Sequence, residues 1–318
     1  MTSHVIFGGR GFIGRHLARR LLEGGERVVC VDRNPFAFDE VQAESCVLDL
    51  ATASPDTFEQ VIGAADVVHH LAWTTIPARA NADPLTDAKE NLHSTINILE
   101  ALRRRGGGRL IFASSGGTVY GKPSLVPIPE NHSLNPLTAY GVSKVAAEKY
   151  CQLYRGLHNI DTRVLRISNP YGAGQNPLRQ QGAITTFAYR AINEDPITIW
   201  GDGLNARDFI YISDLVDAFV RCSTTDFAGD DDFPLMNIGS GQGSTLRDVI
   251  DVIETVANRK LEVDWDTARG FDVRSNILDI DAAGKRLSWR PRISLNNGIA
   301  QVMADLRERP GRAFSSDL

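Results

Sequence analysis

The stretch "VIFGGRGFIG", Val5 to Gly14, decides the reading of the fold. Three apolar residues run straight into glycines at 8, 11 and 14, where an amphipathic segment, "IGRHLARRLLEGG", begins. A buried strand that turns on glycine into a helix brings backbone close to a pyrophosphate and seats it on the positive helix end. The spacing of Gly8, Gly11 and Gly14 is G-x-x-G-x-x-G, a variant of the usual dinucleotide fingerprint, and a plain glycine-rich turn reads much the same. Asp32 tips the balance. It closes the next apolar run, "RVVCVD", about twenty residues after the glycines, where a carboxylate holds both hydroxyls of an adenosine ribose. Such a carboxylate repels a 2′-phosphate, so NAD is expected rather than NADP, although the neighbouring Arg33 is of the type that accepts that phosphate. Asp49 and Leu50, in "VLDL", are candidates for the adenine side, and a loop-opening aspartate is the plainer reading there.

Further runs, "DVVHHLA", "RLIFASS" and "TRVLRIS", are short and almost continuously apolar, as strands covered on both faces are. Helical patterns alternate with them, and Gly24-Gly25 and Gly106-Gly107-Gly108 stop two of these. The implied class is α/β, a Rossmann-type doubly wound parallel sheet with right-handed crossovers, over residues 1–170. Beyond "NPYG" the alternation stops. Residues 171–318 read mainly as a smaller α/β substrate domain, from which later segments return to the first. Within it "TLRDVIDVIETVANR" is a periodic helix with Thr245 and Asp248 spaced as a capping box, and "RERPGRAFSSDL" reads as a loose tail.

Composition narrows the class. With 318 residues, 42% hydrophobic and 23% charged, a packed core is expected, and a net charge of −5 offers no nucleic-acid footprint. No apolar run approaches the roughly 18 residues that span a bilayer. Cys30, Cys46, Cys151 and Cys222 are scattered, so neither a metal site nor a disulfide framework is expected. The chain opens directly on a strand with no signal peptide expected ahead of it, and a cytoplasmic location fits.

The reactive candidates lie in "LNPLTAYGVSKVAAEKYCQLY", helical after Pro136, which sets Tyr140 and Lys144 four residues apart on one face. Tyrosine is a poor base near its usual pKa of about 10. A nearby ammonium stabilises the phenolate, and the same lysine can bond the nicotinamide ribose. An aromatic–aliphatic helix contact is the bland alternative for the pair taken alone.

The glycine triplet, Asp32, "HHLA", "SSGGTVYG", "YGVSK", "LRISNPYG" and "RDFIYISDL" occur in one order along nearly the whole chain. In this the sequence resembles the extended short-chain dehydrogenase/reductases, in particular the NAD-dependent sugar epimerase/dehydratases, and within them the UDP-glucose 4-epimerase branch. The resemblance implies Tyr140 as catalytic acid–base and Lys144 as its ribose-binding partner. It puts Phe12 and Ile13 in the cofactor turn, Leu71, Ala72 and Trp73 alongside the dinucleotide, and Asn91 in the helix behind the site. Ser114 is assigned to the cofactor side. Asn169, Arg207 and Arg269 match residues that hold a nucleotide-diphosphate sugar, and guanidinium pairs well with phosphate. Asp272 follows Arg269 at the family spacing, and Asn276 falls where some relatives carry a bulky aromatic beside the sugar C2 substituent. The implied partners are a UDP-sugar and a second copy of the chain, paired through "DAKENLHSTINILEALRR" and the Tyr140 helix.

The expected reaction is C4 epimerisation: oxidation to a 4-keto sugar, turnover in the site and hydride return. Dehydratases carry Thr-Asp-Glu where this chain has Gly116-Gly117-Thr118, so dehydration is disfavoured. A 4-keto-sugar reductase and a non-catalytic dinucleotide-binding regulator are the other readings. The usual loop serine or threonine falls on Gly116. In an extended chain Ser114, Gly116 and Thr118 point one way and Thr118 supplies the hydroxyl; in a curled loop Ser115 is the alternative, and both hydroxyls read equally well as loop caps.

Overall fold

The computed structural model describes residues 1–35, 43–179, 182–227, 233–267 and 273–308. Its first strand, β1 (Ser3–Phe7), alternates between two cores, with Ile6 packed on one face of the sheet and Val5 and Phe7 on the other. That is the signature of a strand covered on both sides. Beside it on one hand lie β2 (Arg27–Asp32) and β3 (Glu44–Val47). On the other lie β4 (Val67–His70), β5 (Arg109–Ser115), β6 (Asp161–Ile167) and β10 (Leu235–Ile238). Every pairing in this seven-stranded sheet is parallel. The order β3-β2-β1-β4-β5-β6 is the doubly wound one, with its switch point between β1 and β4. β10 reaches this sheet from beyond residue 170.

Helix α1 (Phe12–Glu23) packs with α7 (Ile212–Thr224) over one face. Helices α2 (Pro55–Ile62), α4 (Pro84–Arg104) and α5 (Ala139–His158) cover the other, with α3 (Pro77–Ala82) against α4 and α5. The second unit is built on a mixed sheet in which β9 (Ala206–Tyr211) pairs with β7 (Asn169–Tyr171), β11 (Gly243–Thr245) and β13 (Ser275–Asn276). A separate pair joins β8 (Ile197–Trp200) to β12 (Val263–Asp266), and α6 (Ala183–Asn193), α8 (Leu246–Ala257) and α10 (Leu295–Glu308) pack together beside them. Short α9 (Asp281–Leu287) lies against β10. The Thr245–Asp248 capping box is formed at the start of α8. Residues 309–318, read above as a tail, lie outside the described residues, as do Arg269 and Asp272.

Candidate active site

Gly8 follows β1 with φ at +89°, a conformation that favours glycine, and a Cβ there would stand 2.7 Å from the Ala72 amide nitrogen. At Gly14 the same atom would lie 2.2 Å from the Gly8 carbonyl oxygen, so these glycines draw helix, strand and the Leu71–Trp73 segment together. That segment is pinned in turn, because the Leu71 and Ala72 amides both donate to Phe7 O. Gly9, which the spacing does not single out, meets β2, since a Cβ on it would reach Cys30 Cβ at 2.5 Å. Gly11 caps α1 with no side-chain acceptor and no acidic residue in the first turn, which leaves the positive helix end for an anion. Phe12 and Ile13 open that helix, half-buried.

At the end of β2 the Asp32 carboxylate accepts from the Arg10 amide at 3.3 Å and the Asn34 amide at 3.4 Å, with Arg33 exposed beside it. Beyond β3, exposed Asp49 accepts from the Ala51 amide at 3.0 Å, the loop-opening role, and Leu50 O pairs with His93 Nδ1. The cradle and the acid together fit a dinucleotide with a free ribose diol.

Tyr140 and Lys144 stand on one side of α5, whose N-cap Thr138 accepts from the Gly141 amide. Lys144 is buried, donates to Ala113 O at 2.7 Å, and sits 3.6 Å above the Trp73 ring and 5.6 Å from the Tyr140 ring. Burial pushes its pKa down to about 7, against the pull of Glu148 and Asp87. The Tyr140 hydroxyl is shifted upward, first by burial and then by Asp87. This corrects the expected direction: in the protein alone, desolvation outweighs any help from the ammonium. Asn91 is buried in α4 as expected, and its carboxamide oxygen accepts from the Thr74 amide, fixing the strand-end segment that carries Trp73.

The loop after β5 curls. The Thr118 and Val119 amides both donate to Ser115 O, so the simple alternation expected of an extended chain does not hold. Ser114 turns its hydroxyl to Glu148 at 2.5 Å, within a buried pair of Glu148 and Arg166. Gly116 is hemmed in: a Cβ would meet Leu278 Cδ1 at 2.5 Å, and Asn276 Nδ2 donates to its carbonyl at 3.1 Å. Thr118 O lies 2.8 Å from where a Gly141 Cβ would be, which brings this loop beside Tyr140.

Among the described residues, six buried side-chain nitrogen or oxygen atoms lack a partner. Four of them, Trp73 Nε1, Thr118 Oγ1, Ser168 Oγ and Asn276 Oδ1, belong to segments at the C-terminal ends of the central strands or bonded to them. Buried polar atoms without partners are costly, and their gathering at this end of the sheet is what a site for a polar ligand requires. Asn169 and Asn276 come to the same region through β9, Asn169 donating to Asp208 O at 2.8 Å and Asn276 aligned with Arg207. Arg207 donates to Val273 O at 2.7 Å and to Ala206 O. Asp87, Ser143 and Leu278 were not singled out by sequence; their neighbours give them meaning.

Comparison with known proteins gives one family and several activities within it. The model of the NAD dependent epimerase/dehydratase family matches residues 4–239. A dTDP-4-dehydro-6-deoxyglucose reductase of Escherichia coli is 34% identical over 319 residues, 95% of this chain and 97% of that protein. A UDP-glucose 4-epimerase of Mycolicibacterium smegmatis is 31% identical over 318 residues, covering 96% and 98%. The crystal structure of a UDP-glucose 4-epimerase from Thermotoga maritima with UDP-glucose superposes with a TM-score of 0.89 at 29% identity, over 96% of this chain and 99% of that one.

Proposed function

The chain belongs to the NAD-dependent epimerase/dehydratase family, and from that premise we propose that it is a nucleotide-sugar 4-epimerase acting on UDP-hexoses. The carrying observation is the Tyr140–Lys144 pair on α5, its lysine buried over Trp73, beside a glycine cradle that fits NAD. Tyr140, as phenolate, takes the proton of the sugar 4-hydroxyl and later returns it. Lys144 holds positive charge next to that phenolate and a donor for the cofactor ribose. The Gly8–Gly14 cradle and Asp32 would hold NAD, which would supply the hydride acceptor and donor for C4. A loop hydroxyl bonds the sugar 4-oxygen while charge develops on it. Although the loop curls, which by alternation alone would favour Ser115, we assign that role to Thr118 because its Oγ1 is buried without a partner, with Ser115 as the alternative. Asn169, Arg207, Arg269, Asp272 and Asn276 are proposed to bind the nucleotide diphosphate and sugar. Neither Gly117 nor Thr118 supplies the carboxyl that a dehydration needs.

A second copy of the chain is proposed to dock on α4 and α5, where Leu85, Val142, Leu153 and Leu157 are exposed; sedimentation at twice the chain mass tests it. The four free cysteines suit a cytoplasmic setting. No helix of the described residues is long and apolar enough to cross a membrane.

Reduction of a 4-keto sugar is the second reading. It is supported by the 34% identity to the Escherichia coli reductase, and the Tyr140–Lys144 pair suffices for it, while Asp32 weighs against the NADPH such a reaction would normally use. One assay separates the two: the purified protein with UDP-glucose, UDP-N-acetylglucosamine or UDP-glucuronate, followed by chromatography and by absorbance of NADH. C4 epimers without net NADH change support epimerisation. Unchanged UDP-sugars, with NADH consumed on a 4-keto substrate, support reduction.

A further inference from the structure

Asp87 is a fully buried carboxylate that the proposed chemistry leaves unused. It sits in the first turn of α4, and side-chain donors converge on it. Ser143 Oγ donates to Oδ2 at 2.5 Å; Asn91 Nδ2, at 3.0 Å, and Thr75 Oγ1 donate to Oδ1. Ser143 stands between Tyr140 and Lys144 on α5. Thr75 lies two residues beyond Trp73, whose ring carries the Lys144 ammonium on its face and meets the Tyr140 ring edge-on at 6.0 Å. One carboxylate therefore ties together both walls of the Tyr140–Trp73–Lys144 stack.

We propose that Asp87 is a positioning residue for the Tyr140–Lys144 pair, holding α5 and the Trp73 segment in register and placing a buried negative charge beside both reactive groups. The inference rests on the Tyr140–Lys144 reading. The electrostatic consequence has a definite sign. A fixed negative charge opposes phenolate formation and favours a protonated lysine. The other titratable groups facing the pair are Glu148 and Cys151 from α5 and His70 from β4, and Glu148 acts on Lys144 in the same sense as Asp87. Asp87 is the neighbour acting on Tyr140 and Lys144 alike. Removing its charge must move both ionisations to lower pH. A role confined to packing would move neither in a fixed direction.

The test reads Tyr140 itself. Phenolate absorbance is titrated in the NAD+-saturated protein, and the curve of a Tyr140→Phe variant is subtracted. Asp87→Asn is expected to lower the midpoint by about one pH unit. Asp87→Ser, a smaller uncharged side chain, is expected to lower it too, so that a folding failure of one variant leaves the other to decide. Ser143→Ala keeps the carboxylate and is expected to reduce turnover without lowering the midpoint. An unmoved or raised midpoint in the folded Asp87 variants overturns the proposal, as does an equal fall in Ser143→Ala. Because no sugar enters the titration, its failure leaves the choice of reaction untouched, and failure of the epimerase assay leaves the titration valid.

Discussion

Gly116 and Thr118 are two residues apart, and the chemistry of the loop turns on their difference. A hydrogen bond from a hydroxyl to the reacting oxygen contributes roughly 1.5–3 kcal/mol when charge develops there, about 10- to 100-fold in rate. Thr118→Val is therefore expected to lower kcat by about that factor with NAD affinity unchanged, and Ser115→Ala to have a clearly smaller effect. Steady-state kinetics and cofactor titration check both, and the reverse ranking would transfer the role to Ser115. Restoring a serine at Gly116 is expected to fail, because fully buried Leu278 occupies its space. Gly116→Ser should cost about 1–3 kcal/mol of unfolding free energy, and Leu278→Ala in the same chain should recover the part due to overpacking. Urea denaturation of single and double variants measures it. This departure was legible in the text of "SSGGTVYG", but its cause was not. Leu278 is 162 residues away in sequence, and only the tertiary contact explains why the glycine is tolerated.

At the level of elements, α5 concentrates the site's electrostatics. The Lys144 ammonium, depressed by burial to about 7 from an ordinary 10.5, is disfavoured in the folded chain. The folded form thus binds fewer protons than the unfolded form between those values. Lys144's contribution to stability is fully present above the unfolded pKa and is lost as pH falls toward about 7. Replacing it by methionine removes that dependence: Lys144→Met should gain stability over wild type as pH is lowered from about 10.5 to about 7, judged by urea unfolding at a series of pH values. A constant difference across the range would contradict the depressed lysine. The helical spacing of Tyr140 and Lys144 was readable from the sequence, as were the strand–turn–helix at Gly8 and the capping box at Thr245. The direction of the tyrosine shift was not. It depends on how deeply α5 is covered and on Asp87, a residue of another helix that the sequence did not single out.

Across the whole molecule, the residues named from sequence gather because a doubly wound sheet brings the C-terminal ends of its strands to one edge. Asp32 ends β2, Gly8 follows β1, Trp73 follows β4, the glycine loop follows β5 and Asn169 follows β6. The strand order came from the structure, whereas the doubly wound parallel class was inferable from alternation. How the second unit meets that edge was not, because β9, which aligns Arg207 with Asn276 and lies beside Asn169, forms its sheet from segments over a hundred residues apart. In the proposed epimerisation, hydride leaves C4 and returns to the same carbon. UDP-glucose bearing deuterium at C4, incubated with the NAD+-loaded protein, tests this directly by mass spectrometry and proton NMR of the product. The predicted result is the C4 epimer with deuterium retained at C4 and no NADH accumulating. Loss of the label to solvent or to released NADH, or no epimer from this or any other UDP-hexose, would contradict it.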